Sequence, residues 1–148
     1  MGMIIKQVIA VFGLMLTLVN ADVKMAKPEP SIDKPREVVM GISHGDDESI
    51  HHALSTANNV LKFYGPEKVH IRMVAYYHGI RTLLKSEKEI AVRVKALQQY
   101  GVEFVACGNT MQTKKIQPSE LVSDVEVVSA GIAEVIERAT DGAFYIQP

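Results

Sequence analysis

The most reactive side chain in this sequence belongs to Cys107, its single cysteine. Cys107 follows an apolar run typical of a strand and precedes Gly108, where a backbone can turn closely and present its amide groups. Amides placed in this way stabilise a thiolate, which is the nucleophilic form of cysteine. The same position is also typical of a buried free cysteine that packs as a small hydrophobic side chain. The sequence leaves both interpretations open.

Two histidines, His44 and His78, end other predicted strands and could approach this thiol. An imidazole at such a place can act as a general base or as the partner of a thiolate. Cys107, His44 and His78 could also be three ligands of a metal ion. However, no two of them have the close spacing of a metal-binding motif, so we predict no metal. The remaining alternative is that both histidines are loop residues bound to backbone or water.

Charge and glycine spacing argue against several other classes of function. Lys and Arg total 16, Asp and Glu total 17, and no basic run is present, so nucleic acid is not an expected partner. Gly41 and Gly45 lack the spacing of a dinucleotide fingerprint, and no Walker lysine follows them, so we predict no cofactor. One cysteine also excludes a disulfide within the chain and a four-cysteine zinc site.

The elements that must position these residues alternate between strand and helix. Apolar runs predict strands at residues 37–43, 69–77, 102–106, 125–128 and 143–146. Apolar residues spaced by three and four predict helices at residues 46–64 and 130–140, a helix opened by a capping box at residues 86–89, and a helical turn near 118–121. This order predicts an α/β fold: a three-layer α/β/α sandwich with a mainly parallel, Rossmann-like sheet of five strands.

In sheets of this kind, ligands bind outside the carboxyl ends of the strands. Four predicted loops lie there, and each holds a glycine beside a polar or nucleophilic residue. They cover residues 43–47, 77–80, 107–110 and 129–131.

The beginning of the chain predicts export. Lys6 precedes an uncharged apolar run at residues 8–19, and Val19-Asn20-Ala21 fits a signal peptidase site, so residues 1–21 are predicted to be a signal peptide. The run is shorter than the roughly 20 residues that span a bilayer as a helix. An uncleaved anchor or a buried helix of the domain are the alternatives. Residues 22–35 hold three prolines and predict a flexible tether, which places the folded domain at residues 36–148.

The segment from residue 36 to residue 148 resembles the DsrE/DsrF-like family. The resemblance rests on the order of the elements and on Val105-Ala106-Cys107-Gly108-Asn109-Thr110-Met111, Tyr77-His78-Gly79 and Gly142-Ala143-Phe144-Tyr145-Ile146. The most specific part is the GVEF strand that enters a CGNT turn, and the residues after the cysteine resemble an exported, less characterised branch. The resemblance implies an α/β/α sandwich, assembly into trimers or hexamers, and a cysteine that carries sulfur as a persulfide.

The resemblance also implies roles for particular residues. Cys107 is the residue that can carry the persulfide, and the residues that would line its substrate site are His44, His78, Gly108, Asn109 and Thr110. The expected function is a periplasmic homo-oligomer that handles small sulfur species, without membrane contact once the signal peptide is removed. The alternative is a non-catalytic small-ligand-binding or assembly protein in which Cys107 is structural. A lowered thiol pKa with partial exposure favours the first interpretation, and an inaccessible thiol favours the second.

Overall fold

A computed structural model describes residues 21–148 of the chain. The predicted signal peptide, apart from Ala21, lies outside the described residues. Within residues 21–148, no helix combines the length and the apolar character needed to cross a membrane.

The described residues form alternating strands and helices. The strands are β1 (Arg36–Ile42), β2 (Val69–Ala75), β3 (Glu103–Cys107), β4 (Val125–Val128) and β5 (Phe144–Ile146). The α-helices are α1 (Asp47–Tyr64), α2 (Lys88–Gln99), α3 (Gly108–Lys114) and α4 (Gly131–Thr140). Two 3₁₀ helices occupy Tyr77–Leu83 and Pro118–Glu120.

The five strands form one sheet in the order β4-β3-β2-β1-β5, and every neighbouring pair is parallel. This confirms the predicted parallel five-stranded sheet. Because all the strands run the same way, their carboxyl ends lie at one edge, together with the loops that follow them.

Alternate residues of the strands pack on opposite faces of the sheet, as the period of two requires. On one face, Met40 and Phe104 belong to a large apolar core that includes the buried residues of α1 and α2. On the other face, Val74 contacts a smaller core that includes Val135 of α4. Helices therefore cover both faces, which confirms the three-layer α/β/α architecture.

Two of the predicted element boundaries are wrong near the second strand and helix. β2 ends at Ala75 rather than at Tyr77, because Tyr77 has a φ of 52°, in the left-handed region that a strand does not use. The predicted capping box does not form, because α2 begins at Lys88 and its N-cap residue, Glu87, makes no side-chain capping bond. The Glu87 carboxylate instead accepts a hydrogen bond of 2.7 Å from Arg81 Nη2.

Two further expectations fail on the side of the sheet that holds Cys107. No loop follows Cys107, because α3 begins directly at Gly108. In α4, the apolar spacing that predicts the helix also predicts that Ile132 and Ile136 share its buried face, but they are 51% and 55% exposed. The reason is that α4 buries Gly131 and Val135 against the strands, which turns both isoleucines towards the flank of the helix.

The segment predicted to be a tether contains neither helix nor strand at residues 22–35. Pro30 is buried, and Arg36 Nη2 donates a hydrogen bond of 2.9 Å to the carbonyl oxygen of Ala26. The flexibility of this segment stays a prediction.

Candidate functional site

The residues that follow β1, β2 and β3 contact one another through hydrogen bonds donated by backbone N–H groups. The Gly79 N–H donates to the Ser43 carbonyl at 3.0 Å, and the Tyr77 N–H donates to Thr110 Oγ1 at 3.0 Å. A Cβ added to Gly79 would lie 1.9 Å from the Ile42 carbonyl oxygen, so this close approach of two loops requires glycine. The elements therefore bring three of the four predicted loops into one continuous surface.

The fourth loop, between β4 and α4, packs directly on the cysteine. A Cβ added to Gly131 would lie 2.9 Å from Cys107 Cβ, closer than two such carbons approach. The Asn109 N–H donates to the Ser129 carbonyl at 3.0 Å. Gly108 begins α3 beside the same loop, where an added Cβ would lie 2.9 Å from a carbonyl oxygen at the end of β4. Small residues on both sides thus let this loop reach the thiol.

The pKa of the Cys107 thiol lies below its ordinary value. Burial raises the pKa, because it disfavours the charged form, and the side chain is 6% exposed. Hydrogen bonds from the Thr110 hydroxyl and from the backbone N–H groups of Gly131, Thr110 and Asn109 lower the pKa and outweigh that effect. The fraction of thiolate at neutral pH is therefore larger than for a free cysteine.

Both predicted histidines lie beside groups other than the Cys107 thiol. His44 Nδ1 lies 3.4 Å from Ser43 Oγ, and His78 Nδ1 lies 3.4 Å from Lys114 Nζ. Neither histidine is among the groups that lower the pKa of Cys107. Among residues 21–148, no three His, Cys, Asp or Glu side chains are grouped so that they could hold a metal ion. The arrangement of Cys107 with both histidines as metal ligands is therefore not formed.

Sequence reasoning missed two tyrosines on the same side of the sheet. The hydroxyls of Tyr76 and Tyr145 converge over Gly41, where an added Cβ would lie 3.3 Å and 3.4 Å from them. Burial, and then the neighbouring Tyr76, raise the pKa of Tyr145 above its ordinary value. Tyr76 is also close to Gly131, which contacts the cysteine. The signal that could have pointed to them is that Tyr76 directly follows β2 and Tyr145 lies in the short edge strand β5.

A cysteine surrounded by hydrogen-bond donors, at the carboxyl edge of a parallel five-stranded sheet, defines an α/β protein with a single-thiol candidate site. The profile of the DsrE/DsrF-like family matches residues 37–148. The chain belongs to this family, as its sequence resemblance predicted.

Two solved structures have the same fold. One is a protein of unknown function, MTH1491 from Methanobacterium thermoautotrophicum, with a TM-score of 0.72 and 31% identity over 76% of this chain and 99% of that chain. The other is the YchN protein of E. coli, with a TM-score of 0.61 and 15% identity over 77% of this chain and 99% of that chain. The second likeness concerns the fold alone. No curated protein matches this sequence.

Proposed function

We propose that the mature protein is a periplasmic homo-oligomer that carries small sulfur species as a persulfide on Cys107. The observation that supports this most directly is the set of hydrogen-bond donors around the thiol, which come from α3 and from the N-terminal end of α4. Donors of this kind favour an anionic sulfur atom, whether it belongs to a thiolate or to a persulfide. Membership of the DsrE/DsrF-like family adds support, because the resemblance implies a cysteine with this role.

The sulfur-transfer step uses an inorganic polysulfide as the donor. The Cys107 thiolate attacks the terminal sulfur atom of the polysulfide, and a new S–S bond forms at Cys107 Sγ. The S–S bond behind that atom breaks, and its electron pair leaves with the polysulfide, which is shorter by one sulfur. One thiolate and one polysulfide dianion thus give one cysteine persulfide anion and one shorter dianion. No further oxidant or reductant is required.

A sulfur donor must reach the Cys107 thiol before it can react. The low exposure of this thiol favours a second candidate function. At 6% exposure, Cys107 can react with a donor in the native protein only if neighbouring groups move aside. The same burial is what a packing cysteine in a non-catalytic small-ligand-binding or assembly protein would show. The two candidates differ in whether the native protein reacts.

Intact mass spectrometry of the full chain, expressed and recovered from the periplasmic fraction, tests the proposal. After treatment with polysulfide we expect an adduct of about +32 Da, one sulfur atom, that dithiothreitol removes. The mass should also correspond to a chain that begins at Asp22. The Cys107→Ser variant should be processed identically and gain no reducible adduct.

Two results would contradict the proposal. A native protein that gains no adduct, while its thiol is alkylated after denaturation, would favour the structural role of Cys107. Recovery of the intact chain, with Met1, in the membrane fraction would overturn the periplasmic location.

A further inference from the structure

A cavity of about 480 Å³ opens between the β1–α1 loop, the first 3₁₀ helix and α3. Its volume lies in the range of sites that bind small molecules. The polar part of its lining comes from His44, Asp46, His78, Arg81 and Lys114. What this cavity can bind depends on which of these charges are still free.

Lys114 carries a positive charge that its neighbours do not neutralise. Among the residues that the structure describes, no carboxylate lies within 4.0 Å of Lys114 Nζ. Its Nζ lies 3.4 Å from His78 Nδ1 and 5.9 Å from the centroid of the Tyr77 ring. An ammonium group is a donor without acceptor capacity, so it is held here by a ring nitrogen and an aromatic face. Both contacts leave its full charge available to an anion.

The other two strongly charged side chains of the cavity are already engaged. Arg81 donates to the carboxylates of Asp47 and Glu87, at 2.7 Å each. Asp46 is the N-cap residue of α1, and its Oδ1 accepts a hydrogen bond of 2.8 Å from the Ser49 N–H. The Asp46 carboxylate still opposes an anion in the cavity, and this gives the site a feature that can be tested.

The rest of the lining is apolar. It consists of Gly45 and the side chains of Ile80, Leu84 and Ile116. A ligand that suits both parts is an anion with a chain of polarisable, weakly hydrated atoms. Compounds with sulfur–sulfur bonds have this character, since divalent sulfur packs well against apolar side chains.

We propose that this cavity binds the anionic sulfur donor, a polysulfide- or thiosulfate-like anion, with Lys114 and His78 as the residues that contact its charge. The assignment of the ligand as a donor rests on the proposed function. Tyr77 connects the cavity with the thiol: its ring lies 3.9 Å from the His78 ring between centroids, and its N–H donates to Thr110 Oγ1. Thr110 in turn donates to Cys107. Thr110 and Cys107 do not line the cavity, so a donor bound against His78 would be connected to the residue that borders the reactive sulfur through Tyr77.

Binding of thiosulfate to the full chain carrying Cys107→Ser, measured by calorimetry at constant ionic strength in chloride, separates binding from reaction. We expect saturable binding at one site per chain. Lys114→Ala should weaken it about tenfold, because a hydrogen bond to a charged group is lost. Lys95→Ala, which removes an exposed lysine of α2, is the matched control and should leave the affinity unchanged.

Two further variants test the charge rather than the shape of the cavity. Lys114→Arg keeps the positive charge and should retain most of the affinity. Asp46→Asn should tighten binding several-fold, because asparagine still caps α1 while the negative charge is removed. Equal affinities for Asp46→Asn and its parent would contradict an electrostatic site.

The outcomes distinguish this inference from the proposed function. If thiosulfate does not bind saturably, or binds equally to Lys114→Ala and Lys95→Ala, the cavity is not the donor site, even when the protein with Cys107 gains sulfur. If Lys114-dependent binding is found but the native thiol gains no sulfur, the proposed function fails, and with it the assignment of the bound anion as a donor.

Discussion

At the residue scale, the chemistry of Cys107 depends on groups that belong to different parts of the chain. Asn109 and Thr110 lie two and three residues after the cysteine in α3, whereas Gly131 belongs to the N-terminal end of α4. The Thr110 hydroxyl accepts a hydrogen bond from the Tyr77 N–H and donates one to Cys107, so it joins the β2 loop to the thiol. A substitution of Thr110 should therefore alter the reactivity of Cys107.

Thr110→Val is expected to slow the alkylation of native Cys107 by iodoacetamide about tenfold at pH 6. The reason is that the thiolate loses one charge-assisted hydrogen bond, and a smaller fraction of the thiol is then ionised. The measurement is the alkylation rate from pH 5 to pH 9, read by intact mass. Thr110→Ser keeps the hydroxyl and is the control, with a rate close to that of the parent protein. An identical pH profile for Thr110→Val would show that the hydroxyl does not act on the thiol.

The residues of the candidate site were predictable to different degrees. Cys107, Asn109 and Thr110 are neighbours in sequence, so their proximity follows from the strand that ends there. His44 was also placed at the correct edge of the sheet, but its ring lies beside Ser43. The direction of a side chain beyond the end of a strand depends on the backbone angles of the loop, and apolar periodicity does not encode these angles. The donor from Gly131 was missed for a similar reason, since its contact with the cysteine is set by tertiary packing.

At the element scale, the order of strands and helices was predictable because buried parallel strands are continuous apolar runs. The strand at Val125–Val128 agrees with its prediction residue by residue. The start of α3 was not predictable, because Gly-Asn-Thr has low helix propensity and is typical of a turn. β2 contains a charged residue in an otherwise apolar sequence, and the structure shows why Arg72 is tolerated there.

The Arg72 side chain is 11% exposed and is surrounded by carboxylates. Its Nε, Nη1 and Nη2 atoms donate to Glu134 at 2.7 Å, Glu103 at 2.6 Å and Glu126 at 2.6 Å. These bonds tie β2 to β3, β4 and α4. Because a buried charge costs free energy unless it is paired, the removal of the arginine would leave several carboxylates close together without a cation.

Arg72→Met is expected to lower the free energy of unfolding by about 3 kcal/mol at pH 7. This value is at the lower end of the range for breaking a buried ion pair, because Glu103 and Glu126 are more than half exposed. Urea denaturation measures this change. Arg93→Met is the control, because Arg93 donates to His51 and Ser55 and, among residues 21–148, forms no ion pair with a carboxylate. A loss no larger than that of the control would contradict a stabilising role for the cluster.

The same cluster predicts a dependence on pH. The pKa of Glu134 lies below its ordinary value of 4.5, and the largest cause is the hydrogen bond from Arg138. Burial opposes this effect, and Arg72 adds to it. A lowered pKa in the folded state stabilises the protein above the unfolded value and loses that effect as the pH falls through the folded value. The parent protein should therefore lose stability below about pH 4.5. In Arg72→Met, protonation relieves repulsion, so the difference in unfolding free energy between the two proteins should shrink towards pH 3. A difference that stays constant would contradict this account.

At the scale of the whole molecule, the two faces of the sheet are covered unequally. α1 and α2 lie on one face, and α4 lies on the other. On this second side Ile132 and Ile136 are more than half exposed, and Tyr145 on the edge strand β5 is also exposed. Ile132 and Ile136 are one helical turn apart on α4, and neighbouring exposed apolar side chains often mark contacts between proteins. This surface is where a homo-oligomer, which is part of the proposed function, would gain most from the association of a second copy of the chain.

Light scattering at tens of micromolar protein is expected to give the mass of a trimer or a hexamer. The double variant Ile132→Lys, Ile136→Lys should give a smaller mass, because it places charges where apolar surface would be buried between copies. Val92→Lys is the matched control: Val92 is an apolar residue, 68% exposed, on α2 at the opposite face of the sheet, and its replacement should leave the mass unchanged. A parent protein that is monomeric would contradict the oligomer. An oligomer unaffected by the double variant, but dissociated by Val92→Lys, would place the contact on the α2 face instead.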